Sequence, residues 1–297
     1  MFRGTSGPTA VRRCRQSSRR RDRGDRDERS GREHRERRSR EGQLTVRTGN
    51  SDWGSRQLRV PPRALAGLRQ LRKLDLSFNG MQKLEVDSLV HNRIRALGAA
   101  AFEALPQLRA VMIESNQVRH VAETAVLHNT ELRRLELQDN EIERLGATTL
   151  RSLRHLTLLN MSHNALGTDN GSLPELDGLF SLQALNLSNN RISSVSGEQL
   201  EQLVNLGTLD LSANWVQRLP TLALRGLAQL TLAQNQIRTV APAALVGCAA
   251  LRSLDMTDNL LQTMPSTVYQ LRYLEELKIA GNRLESIIPR YEARDHL

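Results

Sequence analysis

The sequence predicts an α/β repeat solenoid, a stack of short coils that each add one strand to a single parallel sheet. Two observations carry that prediction. A nine-residue pattern, LxxLxLxxN, recurs between residues 71 and 282, with asparagines at nearly constant spacing. Aromatic residues make up only 3% of the chain, too few for one large globular core, so leucine must fill many small layers instead.

The pattern is LRKLDLSFN at 71–79, LRAVMIESN at 108–116, LRRLELQDN at 132–140, LTLLNMSHN at 156–164 and LQALNLSNN at 182–190. It continues as LGTLDLSAN at 206–214, LAQLTLAQN at 227–235, LRSLDMTDN at 251–259 and LEELKIAGN at 274–282. A tenth, degenerate copy ends at Asn92 in VDSLVHN. Successive asparagines, from Asn79 through Asn92 to Asn282, are 13, 24, 24, 24, 26, 24, 21, 24 and 23 residues apart. The LxL alternation has the period of a strand, so the leucines face inward and the residue between them outward. Each coil should place its strand about 4.8 Å from the last. Apolar residues beyond the asparagine, such as Ile142 and Leu145, complete the inward ring.

The asparagine has two donors and an acceptor on a short side chain. At the bend after the strand it can satisfy backbone groups that burial would otherwise leave unpaired. Asn79, Asn116, Asn140, Asn164, Asn190, Asn214, Asn235, Asn259 and Asn282 are therefore read as a structural ladder. Gln138, on the same turn as Asn140, reads as exposed and replaceable.

The 13-residue interval is too short for a coil, since a strand, two corners and a return need roughly 20 residues. A break in the strand ladder is expected there. Residues 86–90 should not pair regularly with both the 74–76 and the 111–113 strands.

The organisation that follows is a disordered arginine-rich tail at 1–42, an N-terminal flank at 43–70, a solenoid of about ten repeats at 71–288 that is irregular at 80–92, and a C-terminal tail at 289–297. Fifteen arginines and seven acidic residues give residues 1–42 a net charge of +8, leaving +2 of the chain's +10 for residues 43–297. Having almost no apolar residues, the tail cannot offset the entropy of ordering. Arginine-rich segments can bind RNA. Here acids are interleaved and the arginine-rich stretch 15–42 has no aromatic for stacking, so nucleic acid is not the expected partner.

The two cysteines, Cys14 and Cys248, provide no disulfide framework. No run is long and apolar enough to span a bilayer, and no secretory leader is written at the N-terminus. A chain complete as written would be cytoplasmic.

These repeats resemble the leucine-rich-repeat superfamily. The 24-residue spacing and segments such as NQVRHVAETAVLHN and NEIERLGATTLRSL are similar to its "typical" subclass, found in Toll-like receptor ectodomains, Slit and chaoptin-like adhesion proteins. The resemblance implies a curved horseshoe with a concave parallel sheet and a mostly irregular convex side, and a role in extracellular or cell-surface recognition. The cysteine-rich caps of those relatives are missing. A last rung followed by IPRYEARDHL makes a poor cap, so self-association through uncapped ends is also expected.

No nucleotide-binding, hydrolase, zinc-protease or calcium-loop motif occurs, so neither an enzyme nor a cofactor is expected. His91 and His163 share a repeat position but lie too many turns apart to share a metal, so no metal site is expected either. The informative residues are the outward ones of the strands: Asp75, Met112, Glu136, Asn160, Asn186, Asp210, Thr231, Asp255 and Lys278. They form an acid-and-amide stripe that could contact a partner, although solubility alone could also select it.

A column just before the strands is basic at Arg72, Arg109, Arg133 and Arg252, and could dock an acidic partner at the N-terminal half or simply be a solvated face. The 26-residue interval holds ALGTDNGSLPELDGLF, which reads as an exposed loop. Asn160, Asn170 and Asn186 head glycosylation sequons, and only Asn170 falls in a loop.

The function these features predict is non-enzymatic binding of a protein ligand or receptor on the concave face. The alternative is an intracellular scaffold, associated with ribonucleoprotein through the arginine-rich tail.

Overall fold

The computed structural model describes residues 43–45, 71–75, 82–84, 94–99 and 101–286. All of these fall in one compact unit, Arg38–Leu297. The arginine-rich tail, the C-terminal tail with its expected self-association, and Asn79 and Asn92 lie outside the described residues.

In chain order the strands are β1 (Gln43–Thr45), β2 (Lys73–Asp75), β3 (Gln82–Leu84), β4 (Ile94–Leu97), β5 (Ala110–Met112), β6 (His120–Val121), β7 (Arg134–Glu136), β8 (Arg144–Leu145), β9 (Leu158–Asn160), β10 (Ala184–Asn186), β11 (Thr208–Asp210), β12 (Arg218–Leu219), β13 (Gln229–Thr231), β14 (Thr239–Val240), β15 (Ser253–Asp255) and β16 (Glu276–Lys278). Ten of them form one parallel sheet in the order β1-β2-β5-β7-β9-β10-β11-β13-β15-β16. Every pair in it is in register, inward leucine beside inward residue, as in Leu135↔Leu159 and Leu209↔Leu230. Helix is confined, among the described residues, to α1 (Gly197–Glu201) and a 3-10 turn at Ser266–Gln270.

Two features of this sheet differ from the sequence expectation. The first is β1, which lies in the supposed flank and pairs Leu44 with Leu74. The second lies at the 13-residue interval: residues 85–93, and with them the expectation for 86–90, fall outside the described residues, yet the sheet closes across the interval. β2 pairs directly with β5, so that Leu74 lies beside Val111 and Asp75 beside Met112. The half-coil that follows each asparagine survives: β3 comes after Asn79 and β4 after Asn92, and the two pair in a second sheet, β3-β4-β6-β8. Their register shifts at Gln82/Lys83, where one coil has to accommodate two returning segments.

The leucines of the pattern fill a continuous core that runs from Leu71 to Val268. Seven asparagines join consecutive layers through one repeated arrangement. Asn140 Nδ2 donates to Ile113 O at 3.0 Å in the preceding coil, and to Leu137 O and Gln138 O in its own. Its Oδ1 accepts from Val118 N at 3.0 Å, again in the preceding coil. Asn164, Asn190, Asn214, Asn235, Asn259 and Asn282 repeat this, taking the N–H of Ile142, Leu166, Ile192, Val216, Ile237 and Leu261.

The residue before each asparagine turns the chain in the left-handed region, at φ between 51° and 55° for Ser115, Asp139, His163, Asn189, Ala213, Gln234 and Asp258. That turn aims its N–H at the next coil, as with Ala213 N to Ala233 O at 2.8 Å.

The 165–180 segment is not a loop excluded from the core. Leu166, Leu173, Leu176 and Leu179 are buried, and Gly171 O accepts from both Ser193 N and Ser194 N. Its tip, Thr168 to Asn170, is exposed, as are Glu175, Asp177 and Phe180 between the buried leucines.

Candidate recognition face

In-register pairing brings all nine predicted outward residues into one row. It runs Asp75–Met112–Glu136–Asn160–Asn186–Asp210–Thr231–Asp255–Lys278, each residue the direct partner of the next on the adjacent strand. Thr45 on β1 extends the row by one. From Asp75 to Lys278 the row spans eight strand spacings, or roughly 40 Å.

Composition along the row has a local cause. Asn160 Oδ1 accepts from Ser162 N and Oγ, Asn186 Oδ1 from Ser188 N, Asp210 Oδ1 from Ser212 N and Oγ, and Asp255 Oδ1 from Thr257 N. Each closes a side-chain turn two residues on, just where the strand ends and the bend begins. One oxygen of each of these half-buried residues is thus committed to the fold. The same turn explains the Asn160 and Asn186 sequons, because the serine of the sequon is the turn's donor.

The row is uneven in character. Glu136 is 5% exposed and ion-paired with Arg134, so it presents little free carboxylate. Met112 and Thr231 are half-buried and carry no side-chain hydrogen bond. At the far end Lys278 pairs with Glu276 at 3.1 Å, and this lysine together with Ser253 lowers the pKa of the exposed Glu276 carboxyl.

Beside the row lies the column preceding the strands. Arg72, Arg109 and Arg133 occupy consecutive strands, with Arg109 N donating to Arg72 O and Arg133 N to Arg109 O, both at 2.8 Å. All three are exposed. Arg252 belongs to the same column but is engaged by Glu275. Between them Gly207 and Ala228 leave a shallow depression of about 460 Å³, closed by Arg252, Glu275 and Glu276. The sequence reading of this column missed Lys73 and Arg134, which sit one residue further in.

Among the described residues no three His, Cys, Asp or Glu side chains group as a metal site would require. His163 stands exposed at the left-handed turn, 3.9 Å from Asp139. Cys248 is buried, and burial pushes its thiol up from the ordinary value. No helix among the described residues is long and apolar enough to cross a membrane.

Comparison with known proteins agrees with this geometry. The family described as "Leucine rich repeat" matches residues 82–142, 106–166, 130–183 and 220–261, and "Leucine Rich repeats (2 copies)" matches 181–224. No curated protein sequence matches the chain. Among solved structures, TLR13 in the TLR13–ssRNA13 complex is similar with a TM-score of 0.61 and 26% identity, over 76% of this chain and 31% of its own. Toll in the Toll–Spatzle complex of Drosophila is similar with a TM-score of 0.62 and 23% identity, over 75% of this chain and 28% of its own. The chain therefore spans about a third of the length of these relatives. The repeat, its ladder and its parallel sheet place the chain in the leucine-rich-repeat superfamily.

Proposed function

We propose that the chain is a non-enzymatic recognition module that binds a protein partner on the outward face of the ten-stranded sheet, in the manner of cell-surface recognition or adhesion proteins. The observation that carries this reading is the unbroken row from Asp75 to Lys278. With the flanking outward columns it offers a face roughly 40 Å long and 20 Å wide, on the order of 800 Å², which is one partner's share of a standard interface.

The likeness to TLR13, solved in complex with an RNA, raises nucleic acid as a partner class. The face disfavours it, because none of its outward residues is aromatic and carboxylates recur along the row. The extracellular or cell-surface setting rests on the resemblance to Toll-like receptor ectodomains, and in that setting the exposed Asn170 is the sequon suited to carry a glycan.

A direct test selects ligands from a random peptide display library on the full chain, then measures their binding to Met112→Arg and Thr231→Arg. Both positions lie in the row and neither makes a side-chain hydrogen bond. Binding should fall about tenfold or more in each, and be unchanged in Val246→Arg, an exposed position off the sheet. Ligands indifferent to both row variants would overturn the reading.

A further inference from the structure

Three arginines stack on neighbouring strands where the sequence alone would have separated them. Arg72 and Arg109 are 37 residues apart, and a regular coil between them would place a strand in the gap. The sheet instead closes β2 directly on β5. This brings the backbone of Arg72 within one hydrogen bond of Arg109, and Arg109 within one of Arg133.

The stack has no counter-ion among the described residues. Glu136 is taken by Arg134, Glu114 lies beyond the row and bonds Gln138, and Glu131 makes no ion pair. Lys73 adds a fourth cation on β2. Further along the same column Arg252 is neutralised by Glu275, so unpaired positive charge is confined to one end of the face. The backbones that carry these like charges lie about 4.8 Å apart, so an anion shared between neighbouring side chains is favoured.

We propose that Arg72, Arg109 and Arg133, with Lys73 beside them, form the docking strip for an acidic polypeptide segment of the partner. The proposal rests on the protein-recognition reading above and fixes the chemistry of one end of that interface. A polypeptide fits better than a polyphosphate for two reasons. The strip offers no aromatic platform for bases, and the half-buried Met112 and the Glu136 already neutralised by Arg134 give a continuous run of phosphates no further cation in the adjoining row. An acidic segment can place its carboxylates over the arginines and neutral residues over the row.

The chain supplies its own reporter. Its three lysines are Lys73, Lys83 and Lys278: one on the strip, one on the second sheet and one at the opposite end of the main sheet. The arginine-rich residues 1–42 contain no lysine, so non-specific binding there can couple only at the Met1 α-amine, which is read as a separate peptide and does not count toward the comparison of lysines. The experiment exposes the full chain to N-acetyl octaglutamate carrying a carbodiimide-activated carboxyl, at about 50 mM salt, and locates the amide adducts by peptide mass spectrometry.

Coupling to Lys73 should exceed coupling to Lys83 or Lys278 about fivefold. Arg109→Glu should abolish that preference, whereas Arg252→Glu should leave it intact. Even labelling of the three lysines, or indifference to Arg109→Glu, overturns the strip. An oligouridylate of equal charge that blocks Lys73 coupling better than unactivated octaglutamate overturns the choice of polypeptide. Loss of the Lys73 preference in a chain whose display-selected ligands still respond to Met112→Arg removes the strip and leaves the recognition face standing. A retained preference beside indifferent ligands does the reverse.

Discussion

Asn140 shows how one side chain can hold two layers together. Its amide serves three carbonyls and one N–H, and two of those four groups belong to the preceding coil. Asn140→Leu would suit the composition of the core and would still strand Val118 N in an apolar interior, while Ile113 O would keep only the Asn116 amide. Each unpaired buried group costs about 1–3 kcal/mol, so urea denaturation should show a loss of that order or greater. Gln138 is a poor control, because it is half-buried and bonds Glu114 rather than standing exposed. Glu143→Ala is the better one: exposed and unbonded, it should leave stability nearly unchanged. A second residue-scale prediction concerns Ala213, held at φ 51°. Its neighbours in this column include Asn189, Asp139 and Asp258, residue types that tolerate the left-handed region, and Gly281 closes the column. Ala213 gains no such relief, so Ala213→Gly should raise stability by up to about 1 kcal/mol, a midpoint shift of about 2–4 °C in calorimetry.

At the level of elements, the 165–180 segment tests whether a lengthened coil is tolerated slack or built structure. Gly178 sits at φ +86°, and a Cβ there would lie 2.3 Å from Arg151 O. Gly178→Ala should therefore cost at least about 2 kcal/mol in thermal or chemical denaturation, from left-handed strain and the backbone clash together. A neutral result would mean the coil is free to move away. The sequence reading of the elements succeeded where the pattern was regular and failed at both ends of the irregular region. The nine strands from Asp75 to Lys278 that carry the LxxLxLxxN pattern were legible because inward aliphatic residues alternate with outward, mostly polar ones without interruption. β1 was not, because Gly49 stands where the asparagine would fall and Asn50 arrives one residue late. The row residues were legible by their place between two leucines. The reason so many are Asp or Asn was not, because it depends on a turn made with the Ser or Thr two residues on. The basic column was legible as a column, but the adjacency of Arg72 and Arg109 was not, because it exists only where β2 pairs directly with β5.

On the scale of the whole molecule, each layer touches only its two neighbours, and stability becomes a sum over layers and the interfaces between them. The two kinds of perturbation this predicts should behave differently. Leu159 is fully buried in β9, mid-stack, with β7 on one side and β10 on the other. Leu159→Ala should cost about 2–5 kcal/mol and weaken two interfaces at once. At the N-terminal end the two available cuts bracket β1. Removing residues 1–42 deletes no described strand, so the melting midpoint should stay within about 1 °C of the intact chain. Removing residues 1–50 deletes β1 and leaves β2, with Leu74 in the core behind it, as the edge of the sheet. One interface is then lost rather than two, and the midpoint should fall by about 2–4 °C for each kcal/mol that interface contributes. Because only terminal surface is removed, the drop should come with a smaller denaturant m-value and an otherwise cooperative transition. Equal midpoints for the two truncations would mean that β1 adds nothing to the stack, and that the row of outward residues effectively begins at Asp75.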